Sequence, residues 1–307
     1  MVDAASSAAG TDPREADTRA AAGVTAGQTL LAAAGLMQGD PRLIGSVVHI
    51  PAEGRLVMTG DLHDHQANLE AILRLADLDA APDHRVLLHE VIHPALAEGQ
   101  PDLSVRTLVR VAALRVAYPN QVLTVLSNHE LAQINQEPIE KAGRAVCVAF
   151  EEGVHQLYGE AAPEVLEAVR VYVRAMPLAV RVAGDAGTLL LSHSVPGPKR
   201  IETFDKAVLN RRPTLDDLAV GGSASDMVWG RYHNRKILLE LAEAWGVDGF
   251  VCGHQPAEAG VEWIPPNLLV LESDHDQGTA LPLDLTELNA APPEVHRWVD
   301  QAVRLRA

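Results

Sequence analysis

Cysteine is almost absent. Cys147 and Cys252 are the two in 307 residues, too few for a disulfide framework, which excludes the small stapled folds of secreted proteins. Basic charge is scarce as well: 25 Lys and Arg stand against 41 Asp and Glu, a formal net charge of −16. They are scattered along the chain, leaving no counterion-releasing footprint for nucleic acid. No run approaches the ~18 uninterrupted apolar residues of a membrane span. The first residues carry Asp3, Asp12 and Glu15 where a secretory leader has a basic start and an apolar centre. The sequence is therefore read as cytoplasmic, with neither membrane nor nucleic acid as partner. What the chain does have is an ordinary globular balance, 47% hydrophobic and 21% charged, which excludes a disordered chain. It also has 13 histidines beside only 4% aromatics, so the placement of those histidines carries the functional reading.

Residues 1–27 are rich in Ala, Ser, Thr and Gly with few large apolar side chains, and are expected to be flexible. From 28 to 307 helical and strand patterns alternate without a linker, which predicts one α/β domain. Leu69, Ile72, Leu73 and Ala76 share one helical face, as do Val146, Phe150, Val154 and Leu157, then Ile237, Leu238 and Leu241, then Val295, Trp298, Val299 and Val303. Residues 135–176 read as two consecutive helices, an insert or cap, with Pro177 ending the second.

Five short apolar runs end differently. Residues 55–60 lead into Asp61, Leu62 and His63; 85–88 into His89 and Glu90; 121–127 into Asn128, His129 and Glu130. Residues 188–192 lead into His193, and 249–253 into His254. Each is a buried-strand pattern closed by a residue able to bind a metal, and in α/β sheets ligands gather beyond the carboxyl ends of strands. Taken singly, a His in such a place is more often a hydrogen-bonded loop residue than a ligand. As a set, Asp61, His63, Glu90, Asn128, His193 and His254 supply only oxygen and imidazole donors, which suits Mn, Fe or Zn. Six donors exceed what one ion requires. Two divalent ions ~3.5–4 Å apart form the arrangement that activates water and neutralises a phosphoryl group.

Gly60-Asp61-Leu62-His63, Asn128-His129-Glu130, Ser192-His193 and Gly253-His254-Gln255 fall in the order of the calcineurin-like metallophosphoesterase motifs, over about residues 55–275. Asn-His-Glu with Gly-His-Gln resembles the branch containing the PPP-type Ser/Thr protein phosphatases. The resemblance implies a four-layer sandwich, two central mixed β-sheets flanked by helices. It places Asp61 and His63 on a first metal, Glu90 as the bridge, and Asn128, His193 and His254 on a second. It implies hydrolysis of phosphomonoesters, on a protein or a small molecule, by attack of a hydroxide bridging the metals. His129, beside Asn128, is the candidate general acid for the leaving oxygen.

The second motif departs from the family's Gly-Asp-x-x-Asp-Arg-Gly. It reads His89, Glu90, Val91, Ile92, His93, Pro94, Ala95. Glu90 keeps the bridging carboxylate with one extra methylene. His93 stands where an Asp would orient the catalytic His, and Pro94 replaces a phosphate-binding Arg. Arg231 is the candidate to replace that contact with its planar donor fork, unless it is a solvated surface residue. A nucleotide or diadenosine polyphosphate hydrolase and an inactive metal-binding scaffold stay open. The segment from His89 to His93 also spells His-Glu-x-x-His, the zinc-protease signature, which needs both histidines on one helix. A strand-like run before it and Pro94 after it argue against that helix. His65, His89 and His275 are left unassigned between direct ligands and supporting roles.

Overall fold

A computed structural model describes residues 13–97, 99–141 and 143–305. In chain order the first strands are β1 (Leu43–Ile44), β2 (Val47–Pro51), β3 (Arg55–Asp61), β4 (His84–His89), β5 (Val122–Thr124), β6 (Glu140–Lys141) and β7 (Arg144–Ala145). They are followed by β8 (Ala179–Ala183), β9 (Thr188–Ser192), β10 (Gly249–Cys252), β11 (Val261–Ile264), β12 (Leu268–Leu271), β13 (Thr279–Asp284) and β14 (Val303–Arg304). One sheet runs β1-β2-β8-β9-β10-β12-β11 and the other β14-β13-β3-β4-β5, while β6 and β7 form a separate hairpin. Both large sheets are mixed: β9, β10 and β12 are mutually parallel in the first, as are β3, β4 and β5 in the second, with antiparallel partners toward the edges.

The central strands are apolar on both faces because each face meets a different core. In β3, Leu56 and Met58 enter the space between the sheets, where they join Leu87, Leu191, Val251 and Leu269. Val57 points the other way, into the core that the helices cover. This is the period of two along a strand, with no polar face left for water. The structure is thus an α/β fold of two mixed sheets flanked by helices, as expected. The five strand-like runs of the sequence are β3, β4, β5, β9 and β10.

The sheets meet where the site begins. Asp61, the last residue of β3, pairs with Glu272 just beyond β12. The approach requires Gly60, since a Cβ there would stand 2.2 Å from the carbonyl oxygen of Leu271. Gly60→Ala should therefore lower folding stability by ~1–3 kcal/mol, the usual cost of overpacking. A lower urea midpoint checks this, and an unchanged midpoint contradicts so close an approach.

The helices are α1 (Pro13–Gln38), α2 (Gln66–Ala76), α3 (Val105–Ala117), α4 (Asn128–Asn135), α5 (Val146–Tyr158), α6 (Ala162–Ala175), α7 (Leu215–Leu218), α8 (Ser223–Val228) and α9 (Arg235–Trp245). Three expectations are corrected here. Residues 13–27, expected to be flexible, form the first half of α1; residues 1–12 lie outside the described residues. Alanine is the best helix former, and Ala26, Leu30, Ala33, Ala34 and Met37 recur at helical spacing on the buried side. Gly23 also belongs to this contact, because a Cβ there would meet the Cβ of Ala161 at 2.6 Å. By length and composition the stretch Asp17–Gln38 would also suffice to cross a membrane, yet here its stripe is part of the core.

The second correction concerns residues 135–176. They contain the β6–β7 hairpin and then α5 and α6, whose Phe150, Val154, Val165, Val169 and Tyr172 are buried in the same core as α1. The pair is a structural layer rather than a cap. The third concerns the stripe from Val295 to Val303: Val295–Val299 is one 3₁₀ segment and Val303 lies in β14, so the spacing spans two elements.

Candidate metal centre

Every polar strand end reaches the same place. Asp61 closes β3 and His63 follows it, Glu90 follows β4, Asn128 opens α4 shortly after β5, His193 follows β9 and His254 follows β10 by one glycine. Several of these turns are left-handed without being glycine: φ is 41° at His63, 62° at Asp64, 49° at Glu90, 59° at His93 and 69° at His254. Such residues cost on the order of 1–3 kcal/mol each and persist where the surroundings over-determine them, commonly at functional sites.

His193 occupies the middle. Its Nε2 lies 2.6 Å from Asn128 Oδ1, 3.1 Å from His254 Nδ1 and 3.3 Å from Glu90 Oε2. The other oxygen of Glu90, Oε1, is 3.2 Å from His63 Nε2. His63 Nδ1 is 2.7 Å from the carbonyl oxygen of Ile92, so a neutral His63 carries its proton there and turns a lone pair toward Glu90. Asp61 is placed differently. Its Oδ1 accepts from the His254 amide at 2.9 Å and stands 3.6 Å from both His193 Nδ1 and His89 Nδ1.

Three buried or half-buried donor groups result, each with ligand atoms within 4.8 Å of one another: Asp61 with His89 and His193; Glu90 with His193 and His254; and His63 with Glu90 and His129. Glu90, Asn128, His193 and His254 are thus brought together, and Glu90 links them to His63. Asp61 and His63, paired on one metal by the resemblance, fall in separate groups. A fourth group, Glu272, Asp274 and His275, is more exposed and adjoins Asp61 through the Asp61–Glu272 bridge.

The electrostatics favour a cation among these atoms. Burial holds His193 well below its ordinary pKa and lowers His89, so both rings are neutral. Burial works to raise Glu90, and only a proton on the His193, His129 or His63 rings that face it would hold this carboxylate well below its usual range. Asp61 is pushed well up by burial and by the neighbouring Glu90 charge. Two buried carboxyls sharing one negative charge, ringed by imidazole lone pairs, form a donor set that a divalent cation would allow to ionise fully.

His129 stands beside this cluster, its ring centroid 4.8 Å from that of His63. Its Nδ1 is 3.0 Å from His93 Nδ1, and His93 Nε2 is 2.9 Å from Gln133 Oε1. An amide oxygen only accepts, so His93 donates through Nε2 and receives from His129 at Nδ1. His93 therefore contacts His129, as expected of the Asp whose place it takes by the resemblance, but without a carboxylate's charge. Burial pushes His129 down to about 3 and His93 down to about 4. Arg231, exposed, donates from Nε to His254 Nε2 at 2.9 Å and borders a pocket of about 330 Å³ that includes Lys199, Trp229 and Tyr232.

Two further residues were not singled out from the sequence. Glu130 accepts from the Val91 amide at 2.8 Å and from the Ser127 hydroxyl, tying the start of α4 to the loop that carries Glu90; burial pushes its carboxyl up to about 8. Ser127 to Glu130 has the spacing of a helix capping box, which is a signal readable in sequence. Gln133 lies four residues after His129 on the same face of α4. Of the unassigned histidines, His65 caps α2 by accepting from the Asn68 amide, and His275 pairs with Glu272 at 3.3 Å. The zinc-protease reading is corrected: His89 ends a strand, Glu90 and His93 have left-handed φ, and the two rings contact different partners.

No protein-family model and no curated protein matches the chain. Solved structures do. A protein serine/threonine phosphatase from Saccharomyces cerevisiae, described as similar to human phosphatase PP5, superposes with a TM-score of 0.62 at 14% identity, covering 85% of this chain and 82% of that one. The cold-active protein-tyrosine phosphatase of a psychrophilic Shewanella species gives 0.54 at 12% identity, covering 82% and 80%. The chain shares the fold of these two phosphatases. Within it, the buried His, Asp and Glu groups lie at the ends of the central strands, consistent with a metal site.

Proposed function

We propose that the protein is a metal-dependent phosphoesterase that hydrolyses phosphomonoesters. The observation that carries this reading is His193 Nε2, a neutral ring nitrogen surrounded by Asn128 Oδ1, His254 Nδ1 and Glu90 Oε2 within 3.3 Å. Asn128, His193 and His254 would hold one divalent ion, Asp61 and His63 another, with Glu90 shared between them; Mn, Fe or Zn suits such donors. When bound, two such ions lower the pKa of a water molecule and neutralise charge on the phosphoryl group.

The chain's own residues supply the rest. His129 is positioned by His93 and Gln133 beside the leaving oxygen; buried, with its pKa down to about 3 and its one proton on Nδ1 toward His93, it must take up a second proton at Nε2 to act as an acid. Arg231 is held at the rim by His254. A His254 that gives Nδ1 to a metal carries its proton on Nε2 and no longer accepts from Arg231, which frees that guanidinium for a phosphate oxygen. The pocket beside it, with Trp229 and Tyr232, receives the group attached to the phosphate.

Solved structures of this fold include a serine/threonine and a tyrosine phosphatase, which favours a phosphoprotein substrate. Turnover of metal-loaded protein on phosphoserine, phosphothreonine and phosphotyrosine peptides, set against nucleotides and diadenosine polyphosphates, tests this. The proposal expects release of phosphate from the peptides. Activity confined to nucleotides would overturn the substrate class, and no turnover on any of them would leave a metal-binding scaffold.

A further inference from the structure

We propose that His89 is a positioning residue for the metal centre, fixing the proton of His193 on Nδ1 so that the Nε2 lone pair faces Asn128 and Glu90. The inference rests on the metal-dependent reading above and adds a residue to it, at a position where the related motif has glycine.

The available protons fix both tautomers. The His89 side chain is fully buried at the end of β4. Its Nε2 is 2.9 Å from the Thr59 carbonyl oxygen, and a carbonyl has no proton to give. His89 therefore donates from Nε2, and its Nδ1 offers a lone pair. That lone pair faces His193 Nδ1 at 3.0 Å, where one proton must lie between two nitrogens. His193 supplies it, and Asp61 Oδ1, 3.6 Å from the same Nδ1, stands on the favourable side of that N–H. With its proton spent there, His193 has only a lone pair at Nε2; that lone pair accepts from His254 Nδ1 at 3.1 Å, which holds the His254 proton because Nε2 of that ring accepts from Arg231, and the acceptor Asn128 Oδ1 at 2.6 Å is a contact that only a cation would satisfy. Metal-binding histidines commonly have the second ring nitrogen anchored in this way, with the anchor fixing both tautomer and orientation.

The same three residues have the outline of an ion site of their own, with Asp61 Oδ1, His89 Nδ1 and His193 Nδ1 converging. That use would require lone pairs on both nitrogens of His193 and ions on opposite sides of one imidazole, farther apart than the ~3.5–4 Å of a two-metal site. The proton relay needs neither. Space for the additional ring comes from Gly253, where a Cβ would stand 2.7 Å from His89 Cε1 and 2.4 Å from Asp61 Oδ1.

The direct test is the tautomeric state of His193 in zinc-loaded wild-type protein, read from long-range ¹H–¹⁵N correlations. The expected result is a proton on Nδ1 of His193 and on Nε2 of His89; a proton on Nε2 of His193 overturns the inference. Variants give a second reading that does not depend on activity. In His89→Gly, chelator competition with Mn²⁺ should show one of the two ions held ~10- to 100-fold more weakly, the usual effect of losing such a support. His89→Gln, whose amide oxygen also accepts a hydrogen bond from His193 Nδ1, should recover most of that loss. Unchanged affinities in His89→Gly would make the ring mere filling. Loss of one ion in both variants with a changed Co²⁺ spectrum would make His89 a ligand. Absence of metal from wild-type protein would instead overturn the reading of the site on which the inference rests.

Discussion

Glu90→Gln should abolish turnover and release at least one metal ion in the same variant. Glu90 is the carboxylate that faces both halves of the centre, Oε1 toward His63 Nε2 at 3.2 Å and Oε2 toward His193 Nε2 at 3.3 Å. An amide of the same length keeps the shape and removes the negative charge that two cations would share. Loss of a supporting residue around a metal typically costs ~10- to 100-fold in affinity, so loss of the shared ligand should cost at least ~100-fold. Metal content and phosphatase turnover measured on one preparation decide the matter. In a zinc protease the corresponding Glu is a base, and its replacement leaves the metal bound. Full metal content with dead chemistry would therefore contradict the bridging assignment.

His129→Asn should reduce turnover by ~10²- to 10⁴-fold, the contribution of a positioned general acid, while metal content stays near wild type; loss of an ion would instead make His129 a donor with His63 and Glu90. The defect should shrink on nitrophenyl phosphate, whose leaving oxygen departs with little protonation. Equal losses on good and poor leaving groups would show that His129 organises the site instead, a role for which its backbone amide, 3.4 Å from Glu90 Oε2, gives a ready route. His93→Asp is the companion variant. His93 belongs to none of the donor groups and contacts His129 and Gln133. Restoring a carboxylate at this position should therefore leave activity intact or raise it, and abolition would mean that His93 has entered the metal site.

The strands were legible because burial on both faces makes each of them a short apolar run, and the strand ends were legible because a polar residue breaks that run at the sheet edge. Asp61, His63, Glu90, Asn128, His193 and His254 are all read from the sequence in that way, and all lie at those strand ends. What the sequence does not carry is direction. The left-handed turns at His63, Glu90 and His254 decide which ring nitrogen faces which carboxylate, and they occur at residues that do not favour such φ values. Nor does the sequence show that Asp61 Oδ1, expected beside His63, lies 3.6 Å from both His89 Nδ1 and His193 Nδ1. The Thr59 carbonyl that sets the His89 tautomer is backbone and has no signature in sequence. Glu130 did have one, the capping-box spacing from Ser127, but it sits inside Asn128-His129-Glu130, where the motif drew attention to the first two residues. The start of α1 was missed for the opposite reason: Ala and Gly look too small to build a core, yet their small size is what lets that helix approach Ala161 so closely.

The central claim is that the strand ends hold a two-metal centre. Elemental analysis of protein purified without chelator, with anomalous scattering at the metal absorption edges to locate the ions, tests it most directly. The account predicts about two transition-metal ions per chain, one among Asn128, His193, His254 and Glu90 and one beside Glu90 toward Asp61 and His63, as two-metal hydrolysis requires. A single zinc held by His89 and His93, or no ion at the strand ends, would contradict it.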